Sequence, residues 1–224
     1  MKLRILFAED DDCFAFVLKD HLELNGYEVA HVSNGENALK LFKKEKFDLC
    51  LLDVMMPAVD GFTVAKEIRM LNKAIPVLFI SAKSMKEDRI QGFKTGGDDF
   101  ITKPFSVEEL LMRIAVFLRR SGLSDVEPFY KFGLFTFDYK NLKLTSPKEI
   151  FTLTQKEGDI LRFFCTHQNQ LIKREDMLKE LWGDDDYFMG RSMDVFIAKL
   201  RKYLKEDTTI CIRNVHGVGF QFVV

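Results

Sequence analysis

The chain has 224 residues, of which 47% are hydrophobic, and its formal net charge is −1 at pH 7. This composition is typical of soluble globular proteins, and the length allows one large domain or two small ones. Because basic and acidic residues nearly balance in each half of the chain, any surface that binds nucleic acid must be local.

The amino terminus and the cysteines indicate a reducing environment away from membranes. The first residues, MKLRILFAEDD, are charged early and lack the apolar segment of a signal peptide. No apolar run approaches the roughly 18 residues that span a bilayer. The cysteines at 13, 50, 165 and 211 lie far apart, which argues against a zinc site and a disulfide framework. We therefore expect a cytoplasmic protein without membrane association.

Residues 1–120 alternate short apolar strands with amphipathic helices. The pattern predicts strands at 3–8, 28–32, 47–52, 76–80 and 99–102, and helices at 14–24, 36–44, 62–71, 86–95 and 107–119. Such βα units predict a parallel five-stranded α/β domain with helices on both faces of the sheet. Asp12 stands where an N-cap would start the first helix. Residues 121–128, SGLSDVEP, are predicted to be a linker.

Residues 129–224 follow a different pattern. Strands are predicted at 132–137, 141–145 and 150–153, followed by helices at 155–167, 174–182 and 191–205. Two final strands, 209–213 and 219–224, enclose the glycine-rich turn NVHGVG. This order predicts a winged helix-turn-helix domain of the α+β class.

Polar side chains follow the predicted strands of the first domain at their carboxyl ends. Glu9 and Asp10 follow the first strand and Asp53 the third, while Ser81 and Lys103 follow the fourth and fifth. In an open parallel sheet these ends meet at one edge. Clustered carboxylates require a cation, and oxygen ligands favour Mg²⁺. A lysine and a hydroxyl beside them suit a phosphoryl group carried on an aspartate.

The segments ILFAEDDD, LCLLDVMMPAVDGF, VLFISAK and GGDDFITKPF resemble the receiver domain of two-component response regulators across nearly all of residues 1–120. The resemblance implies a flavodoxin-like doubly wound sheet of order 2-1-3-4-5. It implies that Asp53 is the phosphoacceptor for a sensor histidine kinase. Mg²⁺ would be held by Glu9, Asp10 and Asp53, together with the backbone carbonyl of Met55.

The same resemblance implies a conformational switch. Lys103, before a cis bond to Pro104, would pair with the phosphoryl oxygens, and Ser81 would move to donate a hydrogen bond to them. Phe100 would then turn inward. Simpler readings stay open at this point: Lys103 as a solvated loop residue, Ser81 as a hydroxyl bonded to its own backbone, and Phe100 as an ordinary core residue.

A mixed face is predicted on the last two helices and the last strand of the first domain. Similar faces in the OmpR/PhoB subfamily pair across a twofold axis, so the resemblance implies a homodimer that forms on phosphorylation. Isologous pairing needs both signs of charge, and both are present; a merely solvated face is the alternative. The predicted interface residues are Arg89, Ile90, Phe93, Asp98, Asp99, Glu109, Leu111 and Arg113.

The segment RSMDVFIAKLRKYLK, residues 191–205, combines an apolar stripe with a basic face. Small apolar residues among basic ones suit a DNA major groove, although charge alone would equally describe a solvated helix. The predicted DNA-contacting residues of this segment are Arg191, Val195, Ala198, Lys199, Arg201 and Lys202.

With LTQKEGDILRFF and NVHGVGFQF, this segment resembles the winged-helix effector domain of the OmpR/PhoB subfamily throughout residues 129–224. The resemblance implies a recognition helix in the major groove and a wing tip at a minor groove, with two heads on direct-repeat promoter DNA. His216 stands where many relatives carry arginine, and a neutral imidazole makes a weaker, pH-sensitive contact. Asp184, Asp185 and Asp186 lie in the preceding loop, where the family suggests contact with RNA polymerase; a plain acidic loop is the alternative.

The sequence thus predicts a transcriptional response regulator that is not a turnover enzyme and assists only its own phosphorylation and dephosphorylation. A Mg²⁺-dependent phosphatase of flavodoxin-like topology is a rival, but Met55 stands where its second catalytic aspartate would be. A constitutive DNA-binding protein with a receiver used only for dimerisation is another; such a receiver would be expected to lose part of the acidic pocket.

Overall fold

The computed structural model describes residues 2–82, 86–118, 129–182 and 187–224, with the backbone alone described at 86 and 187–192. The chain divides into two compact units, residues 1–121 and 122–224. The predicted linker, 121–128, lies outside the described residues.

The first unit is a parallel sheet covered by helices. Its strands are β1 (Arg4–Ala8), β2 (Glu28–Val32), β3 (Leu49–Asp53), β4 (Val77–Ser81) and β5 (Asp99–Thr102). Its helices are α1 (Asp12–Leu24), α2 (Gly35–Lys44), α3 (Gly61–Leu71), α4 (Lys86–Thr95) and α5 (Val107–Leu118). Neighbouring strands pair in parallel in the order β2-β1-β3-β4-β5, which confirms the predicted sheet.

Burial explains why the central strands are almost wholly apolar. Every residue of β3 and β4 is buried, because helices cover both faces of the sheet. On one face, Phe7 and Leu51 pack with Leu18 of α1 and Ile114 of α5 in a single apolar cluster. This packing fixes the positions of the strand ends and therefore the positions of the residues that follow them.

The first helix begins one residue earlier than its predicted cap. Asp11 is the N-cap, and its side chain accepts a hydrogen bond from the Phe14 backbone N–H at 3.0 Å. The expectation that Asp12 caps the helix is therefore wrong; Asp12 is the first helical residue. A carboxylate suits both positions, since both face the positive end of the helix dipole.

The second unit joins two antiparallel sheets to a group of helices. Its elements are β6 (Phe129–Phe132), β7 (Phe135–Asp138), β8 (Lys143–Thr145), β9 (Ile150–Thr152), α6 (Gln155–Thr166), β10 (Leu171–Lys173), α7 (Arg174–Trp182), α8 (Tyr187–Tyr203), β11 (Cys211–Val215) and β12 (Gly219–Val223). The first sheet has the order β6-β7-β8-β9, and the second β10-β12-β11. This arrangement confirms the predicted winged-helix architecture.

Elements of the second unit differ in detail from the sequence prediction. The predicted strand 132–137 is a hairpin that turns at Gly133, where φ is 48° and the Leu134 N–H donates to Asp207 at 2.9 Å. Strand β10 was not predicted because it is only three residues long. It forms by antiparallel pairing with β12, which lies about 50 residues later in the sequence. Helix α8 begins at Tyr187, whereas the prediction placed its start at 191.

Candidate functional sites

Three carboxylates meet at the carboxyl edge of the parallel sheet. Asp53 ends β3, and Glu9 and Asp10 follow β1, the neighbouring strand. Each offers an oxygen atom, and these atoms lie within 4.8 Å of one another. Glu9 and Asp53 are buried, with 1% and 5% of their surface exposed, whereas Asp10 is exposed. A cluster of this size, open to water at one member, fits a divalent cation with oxygen ligands.

Lys103, which follows β5, brings a positive charge into this cluster. Its Nζ donates to Asp53 Oδ2 at 2.6 Å and to Glu9 Oε2 at 2.7 Å. Burial opposes the charged ammonium, but the hydrogen bonds to Asp53 and Glu9 outweigh it and raise the pKa of Lys103. Burial raises the pKa of Glu9 to about 7, against the opposing effect of Lys103. The site is therefore an acidic cluster whose negative charge is only partly balanced.

The loop after β3 holds Asp53 in place. The Met55 backbone N–H donates to Asp53 Oδ1 at 2.7 Å, while the Met55 side chain is 56% exposed. Gly61 begins α3 so close to the strand that a Cβ there would lie 2.1 Å from the Asp53 carbonyl oxygen. Glycine is thus required at this approach, which explains Gly61 at the end of the segment DVMMPAVDG.

The two predicted switch residues are both buried. Ser81 ends β4 and pairs in register with Thr102, next to Lys103. Phe100 is 1% exposed, and its ring lies 6.0 Å from that of Phe79. Arg89 of α4 contacts this region twice: its guanidinium lies 5.9 Å from the Phe100 ring centroid, and it donates to Thr102 Oγ1 at 2.9 Å. Helix α4 is therefore tied to the end of β5.

The predicted dimer face is smaller than the sequence suggested. Phe93 is 1% exposed and Asp98 is fully buried, so these two residues lie in the interior and not on the face. Asp98 pairs with Arg69 and accepts a hydrogen bond from the Val77 backbone N–H. The side chain of Phe93 joins the core because it lies on the sheet-facing side of α4.

The other six predicted interface residues have mixed exposure. Asp99 and Arg113 are mostly buried and pair within the chain at 3.1 Å, and Arg113 also contacts Glu109 at 2.8 Å. Glu109 is half-buried, and Arg89, Ile90 and Leu111 are likewise half-buried. The face that solvent reaches is therefore built from these half-buried residues.

Helix α8 of the second unit carries the basic residues predicted to contact DNA. Val195 is half-buried, and Ala198 and Lys202 are exposed. Lys199 is drawn toward the interior, where its Nζ lies 3.5 Å from Oε1 of the buried Glu157. The side chain of Arg191 lies outside the described residues, as do residues 184–186 of the acidic loop.

Arg201 links α8 to the carboxy-terminal hairpin. Its Nε and Nη2 donate to the Ile212 carbonyl oxygen at 2.9 and 2.7 Å, and Nη2 also donates to Asn214 Oδ1 at 2.7 Å. His216 is exposed in the turn between β11 and β12. Helix α8 and the hairpin of β11 and β12 are therefore tied together by the Arg201 guanidinium.

Sequence reasoning missed Arg174, the first residue of α7. Its Nη2 lies 2.7 Å from Asp194 Oδ1 on α8, and its guanidinium lies 4.9 Å from the Phe220 ring centroid. With Lys173 and His216 it lines a groove between α7 and the wing. The sequence signal was the pair Lys173 and Arg174 where a helix begins, a kind of position from which basic side chains can contact phosphate groups.

Family models match both units of the chain. The response regulator receiver domain matches residues 5–115, and the model described as transcriptional regulatory protein, C terminal, matches residues 148–222. A receiver with an acidic cluster and a lysine, joined to a winged-helix DNA-binding domain, defines a transcriptional response regulator.

Known proteins and solved structures are similar to this chain along nearly its whole length. The transcriptional regulatory protein RprY of Bacteroides fragilis is 48% identical, covering 99% of this chain and 95% of its own. SrrA of Staphylococcus aureus is 32% identical over 100% of this chain and 97% of its own length. The structure of DrrB, a Thermotoga maritima OmpR/PhoB homolog, is 28% identical over 100% of both chains with a TM-score of 0.55. The chain belongs to the OmpR/PhoB family of response regulators. Among the helices described for it, none has the length and apolarity to cross a bilayer.

Proposed function

We propose that a sensor histidine kinase phosphorylates this regulator on Asp53 and that phosphorylation controls its binding to promoter DNA. The observation that carries the proposal is the contact of 2.6 Å between Lys103 Nζ and Asp53 Oδ2 inside a cluster of three carboxylates. A buried carboxylate held against a lysine at a sheet edge suits covalent acceptance of an anionic group.

The transfer itself requires little beyond positioning and charge balance. A carboxylate oxygen of Asp53 attacks the phosphorus of the kinase phosphohistidine, the new P–O bond forms as the P–N bond breaks, and the imidazole leaves as its nitrogen gains a proton. Lys103 then exchanges its contact with Asp53 for one with the phosphoryl oxygens. The Met55 N–H, 2.7 Å from Oδ1, orients the carboxylate for attack.

The metal proposed for this site is Mg²⁺, held by Glu9, Asp10, Asp53 and the backbone carbonyl of Met55. The carboxylate oxygens within 4.8 Å of one another and the exposed position of Asp10 support this ligand set. When bound, Mg²⁺ supplies the positive charge that neutralises the phosphoryl oxygens.

Phosphorylation would be transmitted through Ser81 and Phe100 to the half-buried surface of α4, β5 and α5. We propose that Ser81 donates a hydrogen bond to the phosphoryl group and that two receivers pair through Arg89, Ile90, Glu109 and Leu111. The hydrogen bond from Arg89 to Thr102, which precedes Lys103, supports this route because it links the predicted pairing surface to the residue next to the acidic cluster. This surface carries both signs of charge, as isologous pairing requires.

The paired effector units would bind direct-repeat DNA, with α8 in the major groove and the turn at His216 near the minor groove. The exposed Lys202 and Ala198 support this orientation. We further propose a cytoplasmic location, contact with RNA polymerase, and no turnover activity beyond phosphorylation and dephosphorylation of the protein itself.

The proposal is tested by comparing the wild type with Asp53→Ala after addition of a small-molecule phosphodonor and Mg²⁺. Intact mass and the dimer fraction from light scattering are measured on the same samples. We expect the phosphoryl adduct and the rise in dimer in the wild type, and neither in Asp53→Ala. Asp12→Asn is the matched control, because Asp12 is exposed in the same acidic run and belongs to α1.

A phosphoryl adduct that persists in Asp53→Ala would refute the assignment of the acceptor. An adduct in the wild type without any increase in dimer would refute the coupling between phosphorylation and pairing.

A further inference from the structure

An aromatic ring lies against the ammonium group of Lys103. The Nζ atom is 4.2 Å from the centroid of the Phe14 ring. This distance is well inside the range of about 6 Å over which a cation is attracted to a ring face. Among the described residues, the ammonium therefore contacts the carboxylates of Glu9 and Asp53 and the face of Phe14.

Phe14 is held firmly in this place. Its backbone N–H donates to the capping Asp11 at 3.0 Å. Its ring meets the Phe105 ring edge-on, with centroids 6.0 Å apart and an interplanar angle of 88°. Phe105 is two residues after Lys103, so Phe14 contacts both the ammonium and the loop that carries it. Both phenylalanines pack against the apolar cluster of the first unit.

The ring differs from the two carboxylates in how it holds the ammonium. A lysine side chain has a flexible stem, and its ammonium can donate in several directions. The ring face attracts the charge without accepting a directional hydrogen bond as a carboxylate would. The ammonium is therefore kept near the site while its N–H groups stay able to exchange one oxygen partner for another.

We propose that Phe14 is a positioning residue for Lys103, holding its ammonium where it meets the incoming phosphoryl group. The proposal rests on the proposed phosphorylation of Asp53 and adds a residue that the acidic motifs do not include. An aliphatic residue at position 14 would fill the same space but would not attract the charge.

The phosphorylation test uses three full-length variants and the wild type. Phe14→Leu keeps an apolar side chain and removes the ring, whereas Phe14→Tyr keeps the ring. Phe16→Leu is the matched control, since Phe16 is on the same helix and 75% exposed. Rates of phosphorylation by a small-molecule phosphodonor with saturating Mg²⁺ are measured by intact mass.

A second readout needs neither metal nor phosphodonor. The Lys103 side-chain methylene signals, assigned with Lys103→Arg, are followed by NMR in the wild type and the Phe14 variants. The ring should shift these signals upfield in the wild type and in Phe14→Tyr, and the shift should disappear in Phe14→Leu. Amide spectra of the same samples establish that each variant is folded.

We expect Phe14→Leu to be phosphorylated about threefold or more slowly, in line with the strength of a cation–ring contact. Phe14→Tyr and Phe16→Leu should stay close to the wild-type rate. Equal rates in Phe14→Leu and the wild type, or a Phe14→Tyr rate as low as that of Phe14→Leu, would overturn the role of Phe14. A wild type that takes up no phosphoryl group would instead overturn the proposed function.

Discussion

Water reaches the four cysteines of this chain to very different extents. Cys13 is exposed and Cys211 is half-buried, whereas Cys50 and Cys165 are buried. Burial raises the pKa of the Cys50 thiol to about 12 and also raises the pKa of Cys165. Because the thiolate is the reactive form, the two buried thiols are expected to be inert in the folded protein.

We therefore predict a clear order of labelling by a thiol reagent at mildly alkaline pH. Cys13 should react first and Cys211 next, with Cys50 and Cys165 at least about a hundredfold slower, since they wait for an opening of the structure. Intact mass against time, followed by peptide mapping, gives the order. In urea all four should react at similar rates, and labelling of Cys50 as fast as Cys13 without urea would contradict the prediction.

Two adjacent acidic residues show how local geometry assigns different partners. Asp98 pairs with Arg69 of α3, while Asp99, the first residue of β5, pairs with Arg113 of α5. Successive side chains of an extended strand point to opposite faces of the sheet. One carboxylate therefore anchors the helix on one face, and the other anchors the helix on the opposite face.

At the level of elements, α8 separates a packing face from a face open to solvent. Met193, Phe196 and Leu200 are fully buried, and the Phe196 ring lies 6.2 Å from that of Trp182. Lys199 projects toward Glu157, whereas Lys202 is exposed. Two lysines of one turn of helix thus have different environments, and they should have different functions.

We predict that Lys202→Ala and Lys199→Ala separate DNA affinity from stability. Lys202→Ala should lower, by about one unit, the slope of the logarithm of DNA affinity against the logarithm of salt concentration, as expected for one lost phosphate contact. It should leave the free energy of unfolding nearly unchanged. Lys199→Ala should lower the free energy of unfolding by about 1–2 kcal/mol, because the buried Glu157 loses a charged partner. Salt titrations of DNA binding and urea unfolding measure the two effects. Loss of stability in Lys202→Ala together with loss of DNA affinity alone in Lys199→Ala would refute this account of the helix.

At the scale of the whole molecule, the proposed function assigns the chemical signal to the receiver and the contact with DNA to the effector. Neither half of the chain has a large excess of basic residues, so we expect one effector unit to make few contacts with DNA phosphate groups. Linking two units through their receivers turns the second binding event into an intramolecular one. Under this proposal, phosphorylation would control the occupancy of DNA sites without changing the contacts that either unit makes.

The spacing of half-sites should therefore matter for the phosphorylated protein. A half-site obtained by selection from random DNA is placed as a direct repeat about one helical turn, or 10–10.5 base pairs, apart. Inserting about half a turn should lower the affinity of the phosphorylated protein at least about tenfold, because the paired units can no longer engage both sites. Inserting a whole turn is the control for DNA length, and an affinity independent of helical phase would contradict pairing on DNA.

Much of the fold and of the candidate site could be predicted from residue order. Apolar strands alternating with amphipathic helices predicted the parallel sheet, because both faces of such strands must be covered. The positions of Glu9, Asp53 and Lys103 after different strands predicted that they would meet, and Lys103 Nζ lies within 2.7 Å of an oxygen of each carboxylate. Local order was enough here because strand ends in a parallel sheet share one edge.

Other features depended on contacts between residues far apart in the sequence. The burial of Asp98 by Arg69, the inward direction of Lys199 and the attachment of Arg201 to β11 carry no local signal, so exposure could not be inferred for them. The same holds for Phe14, whose ring reaches Lys103 across 89 residues of sequence only because α1 and the loop after β5 pack together. The sequence by itself therefore determined the two domains and the chemical groups at the sheet edge. Tertiary packing decided which charged side chains are paired inside the protein and which are left at its surface.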